Sequence, residues 1–449
     1  MGKKVAVIGA GLTGLTTAFY LKKKGVSFQV FEQANHVGGV IQTVEKDGFI
    51  YENGPSTGVL GQPEAADLIE ELGDACELEI ADEDAKNRWI WKGDRWHALP
   101  SGLGGGISTP LFSWHDKIRI LGEPFRKPGT DPNESLAHLV RRRMGESFLK
   151  YAVDPFILGI YSGDPEKLVV KYALPKLYNL EQKYGSFIGG SMKKAKEPKT
   201  DWDKKATRQV FSMNGGLKSL IQALELKIGS ENIRLKSTGL TVSKDGEKFI
   251  VADGSGFKEP FDEVISTVGG HALRKLFPFL PEQQLQKIEA MTYAKVVQVS
   301  VGFNKWEGIP IKAFGGLVPF HEKRDVLGVL FLSSFLKNRA PEGGALLSTF
   351  LGGVRRPGMV DLPDDKIKKL VEKELKFMMQ LTKWEPDLLV INRYQHAIPQ
   401  YSFESADRLA AIDELENTHK GLILGGNIRD GIGMADRMKQ GRGLSERVG

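Results

Sequence analysis

The sequence predicts an α/β protein whose parallel sheet is left and re-entered by the chain. Three observations predict it. A short apolar strand, "KVAVIG" from Lys4, runs through a glycine-rich turn into a helical pattern, and a second strand, "SFQVFE", follows. The order strand, glycine turn, helix returns at "EVISTVGGHALRKLF" (263–277) and again at "LILGGNIRDGIGMADRMKQG" (422–441). Between these pieces lie a mostly helical stretch and a strand-rich one. The organisation that follows is discontinuous. Residues 1–85, 205–270 and 395–449 form a Rossmann-like dinucleotide-binding domain. Residues 86–100 with 271–394 form an inserted α+β domain for a substrate, and 101–204 a helical domain.

The elements are justified in chain order. The first strand ends in Gly9-Ala10-Gly11-Leu12-Thr13-Gly14, a GxGxxG loop. Gly9 permits the tight turn. Gly11 lets a pyrophosphate approach the backbone at a helix N-terminus, and Gly14 lets helix and strand pack closely. The helix stops at Gly25. Glu32 closes the second strand, where it can accept hydrogen bonds from a ribose 2′-hydroxyl and repel a 2′-phosphate; Gln33 adjoins it. Residues 63–81 read as helix, opened by Pro63 with Leu68, Ile69 and Leu72 on one face. "RWIWKGDRWHALP" (88–100) alternates about Lys92-Gly93-Asp94 as a hairpin. Residues 101–200 carry helical patterns punctuated by Gly and Pro, and Lys193–Lys205 reads as a polar surface loop. A helix at "GGLKSLIQALELKIG", strands about Asp245-Gly246, strands over 294–351, a helix at "DDKIKKLVEKELKFMMQL" and an extended "LLVINRYQHAIPQY" follow.

Composition narrows the function classes. The chain has 449 residues, 41% hydrophobic and 26% charged, as in a globular protein. No apolar run approaches the roughly 20 residues of a membrane span. The strand begins so near Met1 that no cleaved leader is expected. Cys76 is the only cysteine, which excludes internal disulfides and cysteine metal clusters and favours a reducing, cytoplasmic setting. The eight histidines show no metal-ligand spacing, so no metal is expected. A net charge of +6 reads first as a solvated basic surface, and also suits an anionic ligand or membrane face. Arg141-Arg142-Arg143 and Lys193-Lys194-Ala195-Lys196 lack interleaved aromatics, against nucleic-acid binding.

Further motifs specify the dinucleotide. Gly38-Gly39-Val40, with Thr43 after it, resembles the GGxxxT signature of FAD-binding oxidoreductases. Gly54-Pro55-Ser56-Thr57 fits the turn beneath a flavin in such proteins. "GGNIRDGIGMAD" (425–436) resembles their closing motif, with Gly426, Asn427, Ile432, Gly433 and Met434 at a helix N-terminus that favours negative charge.

With "NRWIWKGDRWHALPSGL", "DPFILGIYSGDPEKL", "LPKLYNLEQKYGSFIGG", "FSMNGGLKSL", "GVLFLSS" and "IPQY", the chain resembles the oxygen-dependent protoporphyrinogen oxidase family over nearly its whole length. That family includes bacterial members that oxidise coproporphyrinogen III. The resemblance implies FAD as cofactor, with Gly239 and Leu240 added to the residues that contact it. It implies oxidation of a porphyrinogen in haem biosynthesis, with molecular oxygen reduced to hydrogen peroxide. No acid, base or nucleophile is expected, because flavin N5 does the chemistry. The resemblance makes Arg88 a propionate anchor, and Leu317 and Phe331 the holders of a pyrrole ring. It puts Gly159 where the macrocycle passes the flavin edge. Read from the residues alone, Gly159 is a helix C-cap, Asp164 an N-cap with Pro165 behind it, and Leu317 and Phe331 sheet core. The segment 104–114 exposes Leu111, Phe112 and Trp114, as a membrane-docking surface or as a lid on its own helices. The cytoplasm, with docking on the inner face of the membrane, is the expected location. A ferrochelatase and a second copy of the chain are open as partners. The chain departs from the family at Glu404-Ser405 and at Asp430. A flavin amine oxidase and a non-catalytic FAD-binding scaffold remain as alternatives, and protoporphyrinogen IX and coproporphyrinogen III are not separated.

Overall fold

The computed structural model describes residues 2–100 and 102–449; Met1 and Ser101, which open two of the expected segments, lie outside the described residues. Five strands form one parallel sheet in the order Ile233–Arg234, Ser27–Phe31, Lys4–Ile8, Glu263–Ser266, Leu422–Leu424. Only two of them are near neighbours in the chain. The first strand is apolar from Val5 to Ile8 because both sides are covered there. Val5 and Val7 pack with the helices Leu12–Lys23, Lys218–Ile228 and Met434–Glu446. Ala6 and Ile8 pack on the other side, with Leu273, Ile288, Ile412 and Leu415. Any side chain at Gly14 would overlap the carbonyl of Gly9, so the first helix lies hard against its strand.

The second sheet has seven strands: Leu388–Pro399, Tyr293–Phe303, Ala345–Gly352, Gly328–Phe331, Gly315–Leu317, Arg88–Lys92, Arg95–Ala98. All pairs are antiparallel except Gly315–Leu317 with Arg88–Lys92. The early hairpin thus joins a sheet built from residues two hundred positions later. Side chains alternate across it. On the back face Trp91, Val297, Val299, Val329, Phe331, Leu347 and Leu351 are buried against Ile367, Val371 and Leu375 of the helix Asp364–Met378. The front face looks onto the nucleotide-binding part and the helical section. Gly302 meets the Phe49 ring there, and Asn392 Nδ2 donates to Asn53 Oδ1 at 2.7 Å.

The helical section is held by an apolar cluster about Leu139, Ile157 and Tyr161 and by a buried ionic network. Arg143, fully buried, pairs with Glu123 and Glu181. Burial raises the pKa of Glu123, but donors from Phe187 N, Ser186 Oγ, Ile188 N and Arg143 outweigh it and hold the carboxyl below its usual range. Arg142 pairs with Glu134 and Glu181, and Arg141 with Glu146 and Glu166. All three arginines are therefore paired with acids, Arg143 fully buried, Arg142 half-buried and Arg141 exposed, and the triplet is not a free basic patch.

Several expectations are corrected. The helix over 63–81 ends at Leu72, because Gly73 turns left-handed (φ 58°), and a short strand follows at Leu78–Ile80. Lys193–Lys205 is not one loop: a helix reaches Ala195, and Thr200 and Asp203 cap a short helix reciprocally. Gly159 lies inside the helix Asp154–Tyr161, whose C-cap is Ser162. Asp164 caps a turn, accepting from Glu166 N and Arg355, and no helix starts at Pro165. Leu111 and Phe112 are buried against Ile90; of the expected exposed trio only Trp114 is exposed. Among the described residues no helix is long and apolar enough to cross a membrane.

Candidate active site

The glycine loop forms an open cradle at the first helix. Gly9 is left-handed (φ 101°), and its N–H donates to Phe31 O at 2.8 Å. Gly11 is the helix N-cap in extended conformation, with no side-chain cap and no acid in the first turn. A Cβ added there would meet nothing within 4 Å. The first helical N–H groups, around Leu12, Thr13 and Gly14, therefore point at free space, the arrangement that receives a pyrophosphate. Gly38 donates to Ala10 O at 2.8 Å, and Gly39 packs on Gly11. Glu32 accepts from Ala10 N (2.8 Å) and Ala34 N (2.9 Å), which fixes the carboxylate beside the loop with lone pairs to spare for ribose hydroxyls. Gln33 is exposed next to it. Gly239 (φ 67°) and Leu240 follow, after Thr238, on Lys236 and Ser237, whose N–H groups donate to Ala34 O and Glu32 O.

The turn Gly54-Pro55-Ser56-Thr57 packs so tightly on the carbonyl of exposed Val40 that no Cβ fits at Gly54. Its anchor is Gln298, buried on the front face of the large sheet. Gln298 Oε1 accepts from Gly54 N at 3.0 Å, and its Nε2 donates to Ser348 Oγ (3.2 Å) and Ser56 Oγ (3.4 Å). Tyr394, pushed up to about 12 by burial, donates to the same Oε1. Thr43 takes a supporting position. It donates to Glu52 Oε2 at 2.7 Å and accepts from Lys218 N, while Glu52 accepts from Leu217 N; together they cap the helix Lys218–Ile228. Burial lifts Glu52 to about 7.

Two arginines, Arg408 fully buried and Arg437 half-buried, hold the closing loop. Arg437 donates to the carbonyls of Gly426, Arg429, Asp430 and Gly431. Arg408 donates to Ile428 O and to Ser405 Oγ. Asp430 is left-handed (φ 65°) and accepts from Gln440 Nε2 at 2.8 Å. Both departures from the family pattern thus belong to the scaffold of this loop. Asn427 accepts from Tyr293 Oη, Ile432 packs on the helical section, and Gly433 leads into buried Met434 at the start of the closing helix. The cradle, Glu32, the tight turn at Gly54 and this helix N-terminus fit FAD.

Beyond the turn lies the front face. Register sets Arg88, Gly315, Leu330, Ser348 and Ser300 in one row across the strands, and Ile90, Leu317, Gly328, Phe350 and Gln298 in the next. Gly159 faces Leu317 from the helical section: a Cβ there would come 2.5 Å from Leu317 Cδ2. The Arg88 guanidinium lies 5.6 Å from the Phe314 ring centroid and has no ion pair among the described residues.

The sequence model of the flavin-containing amine oxidoreductases matches residues 12–442. The chain belongs to that family. It is a flavoenzyme, and FAD is its cofactor. It is 30% identical to a mitochondrial protoporphyrinogen oxidase of Nicotiana tabacum, over 99% of this chain and 94% of the relative. It is 28% identical to the coproporphyrinogen III oxidase of Bacillus subtilis (strain 168), over 98% and 97%. A solved structure from Exiguobacterium sp. 255-15 has the same fold, with a TM-score of 0.83 at 24% identity over 99% of this chain and 98% of that one.

Of the residues expected at the flavoenzyme's substrate site, the structure brings Gly159 and Leu317 into contact and puts Arg88 on the same sheet face. It does not bring Phe331 there. Phe331 is fully buried on the back face, edge-on to Trp89 at 5.3 Å. Its neighbour Leu330 has the front-face position, as does half-buried Phe350. Leu330, Phe350 and Gln298 were missed. Strand parity is the signal that finds them: with Leu317 opposite Gly328, the even positions of that strand share its face.

Proposed function

We propose that this flavoenzyme oxidises a porphyrinogen to the porphyrin and passes the electrons to oxygen, giving hydrogen peroxide. The observation that carries the reading is the front face: an apolar platform of Leu317, Leu330 and Phe350, a glycine where a helix closes over it, and an arginine with no acidic partner at its edge. Bound FAD supplies the acceptor of a hydride at N5. The chain supplies position. Arg88 takes a propionate in a two-pronged hydrogen bond. The platform receives the flat face of a macrocycle, and Gly159 leaves room for its edge. Gln298 ties the turn beneath the flavin to the platform, and Arg437 and Arg408 fix the closing loop. An amine substrate fits less well, because an unpaired guanidinium repels an ammonium ion. The names of the plant and bacterial relatives agree with a porphyrinogen.

The test is anaerobic mixing of the FAD-loaded protein with protoporphyrinogen IX and with coproporphyrinogen III. Bleaching of the flavin, followed in air by porphyrin fluorescence, is the expected result. A flavin that neither compound bleaches would overturn the reading, and bleaching by an amine alone would favour amine oxidation.

The helical section supports peripheral docking on the cytoplasmic face of a membrane. Trp114, Ile118 and Leu121 lie at i, i+4 and i+7 of one helix and are 68%, 67% and 72% exposed; Phe125 beyond them is 89% exposed. Lys117 lies over the Trp114 ring at 4.4 Å, so a cation flanks the stripe. Co-sedimentation with anionic vesicles, lost in Trp114→Ser/Phe125→Ser, is the expected behaviour. Equal sedimentation of the variant would exclude the stripe.

A further inference from the structure

Every arginine other than Arg88 and Arg208 has a hydrogen-bond or ion-pair partner among the described residues. Arg88 is the expected propionate anchor. Arg208 has no assigned role, and its backbone is left-handed (φ 62°), a conformation rare for a long side chain. A turn clamps it there: Arg208 N donates to Leu60 O at 2.8 Å, and Leu60 N to Gln209 O at 3.0 Å. From the helical section, Lys176 Nζ reaches Gly61 O at 3.3 Å. Gln62 Nε2 donates to Asp436 Oδ1 at 3.0 Å, in the first turn of the closing helix. The backbone of Arg208 and the ammonium of Lys176 therefore meet at the loop 60–62, which follows the turn beneath the flavin.

The surroundings leave positive charge unmet. Burial lowers the pKa of Lys176, Asp436 opposes the shift, and the cations Arg208, Lys194 and Lys439 add to it. Lys439 has an acid, Glu64, at 3.5 Å. Lys176, Lys194 and Arg208 have no ion pair among the described residues. Asp436, which Gln62 of this loop contacts, lies in the first turn of the closing helix, so the cluster adjoins that helix.

We propose that Arg208 and Lys176 form a second carboxylate-binding site, and that the substrate is a porphyrinogen carrying four carboxylates. This rests on the porphyrinogen reading above. A dicarboxylate needs one cationic anchor, because its two propionates sit side by side on the ring. A tetracarboxylate presents acids around its rim, and the ones Arg88 does not hold require cations elsewhere. A guanidinium and an ammonium that both lack an acidic partner among the described residues gain from such an anion.

The test uses the FAD-loaded enzyme with Arg208→Asn, which tolerates the left-handed backbone, and separately Lys176→Gln. Each variant is expected to raise KM for coproporphyrinogen III by roughly ten- to hundred-fold, the loss of one charged hydrogen bond, with kcat retained. KM for protoporphyrinogen IX stays unchanged. Titration with the product coproporphyrin III, read by its fluorescence, shows the same weakening without turnover, and Arg208→Lys restores part of it. Equal shifts for both substrates, or none, overturn the proposal. So does a wild type that prefers the dicarboxylate, an outcome that leaves the porphyrinogen reading intact. A wild type whose flavin neither compound bleaches overturns that reading itself.

Discussion

The two faces of the seven-stranded sheet are made by the same strands and do opposite work. The back face is closed: Val297, Val299, Phe331, Leu347 and Leu351 are fully buried on one helix. The front face is partly open, with half-buried Leu317, Leu330 and Phe350 beside an exposed Arg88. Alternation alone separates them. A residue and its neighbour in one strand can therefore be a stability determinant and a binding determinant, and only substitution of both tells which is which.

The sharpest way to break this comparison is the pair Phe331→Ala and Leu330→Ala. Phe331→Ala is expected to cost about 3–5 kcal/mol in unfolding free energy, as a large buried ring does, and to leave KM nearly unchanged. Leu330→Ala is expected to raise KM at a smaller stability cost. Equal effects in denaturant melts and kinetics would dissolve the distinction.

Next in size is Glu52, on the hairpin against which the front face packs. Its carboxyl is lifted from an ordinary 4.5 to about 7, mainly by burial. A folded pKa above the unfolded one means that the native state holds the proton longer, so stability falls as pH rises from about 4.5 to 7. The total is about 3 kcal/mol. Melting temperatures of Glu52→Gln across this range are expected to lose that slope, and an unaltered slope would assign it elsewhere.

Gly159→Val probes the front face from above. The new side chain meets Leu317, and the expected result is retained FAD with turnover lowered about a hundred-fold, the usual effect of displacing a substrate by about 1 Å. Normal turnover would show that the macrocycle does not pass there. The smallest effect expected is that of Arg88→Ala: KM raised about ten-fold, with kcat and melting temperature unchanged, because the exposed guanidinium has no ion pair among the described residues. An unchanged KM would remove it as anchor.

Much of this architecture was legible in the residues because local rules carry it. The glycine loop, Glu32 and the closing motif each need only a strand end and a helix start to be recognised, and the structure forms both. Arg88, Gly159 and Leu317 came from family resemblance, and their proximity depends on contacts between segments more than 150 residues apart. Phe331 was misplaced by one residue of strand parity, which an apolar run such as "GVLFLSS" does not reveal. The buried arginines were invisible for another reason: a charged triplet reads as solvated unless its acids, here Glu123 and Glu181, are known to fold back upon it. Asp430 and Ser405 looked like defects until their partners Gln440 and Arg408 gave them a structural use.

The parallel sheet has an implication for biogenesis. Its outer strand, Leu422–Leu424, and the helix behind it come from the final stretch of the chain, yet they complete the cradle begun at Lys4. A nascent polypeptide emerging from the ribosome lacks this side of the cradle until residues 422–446 have been translated.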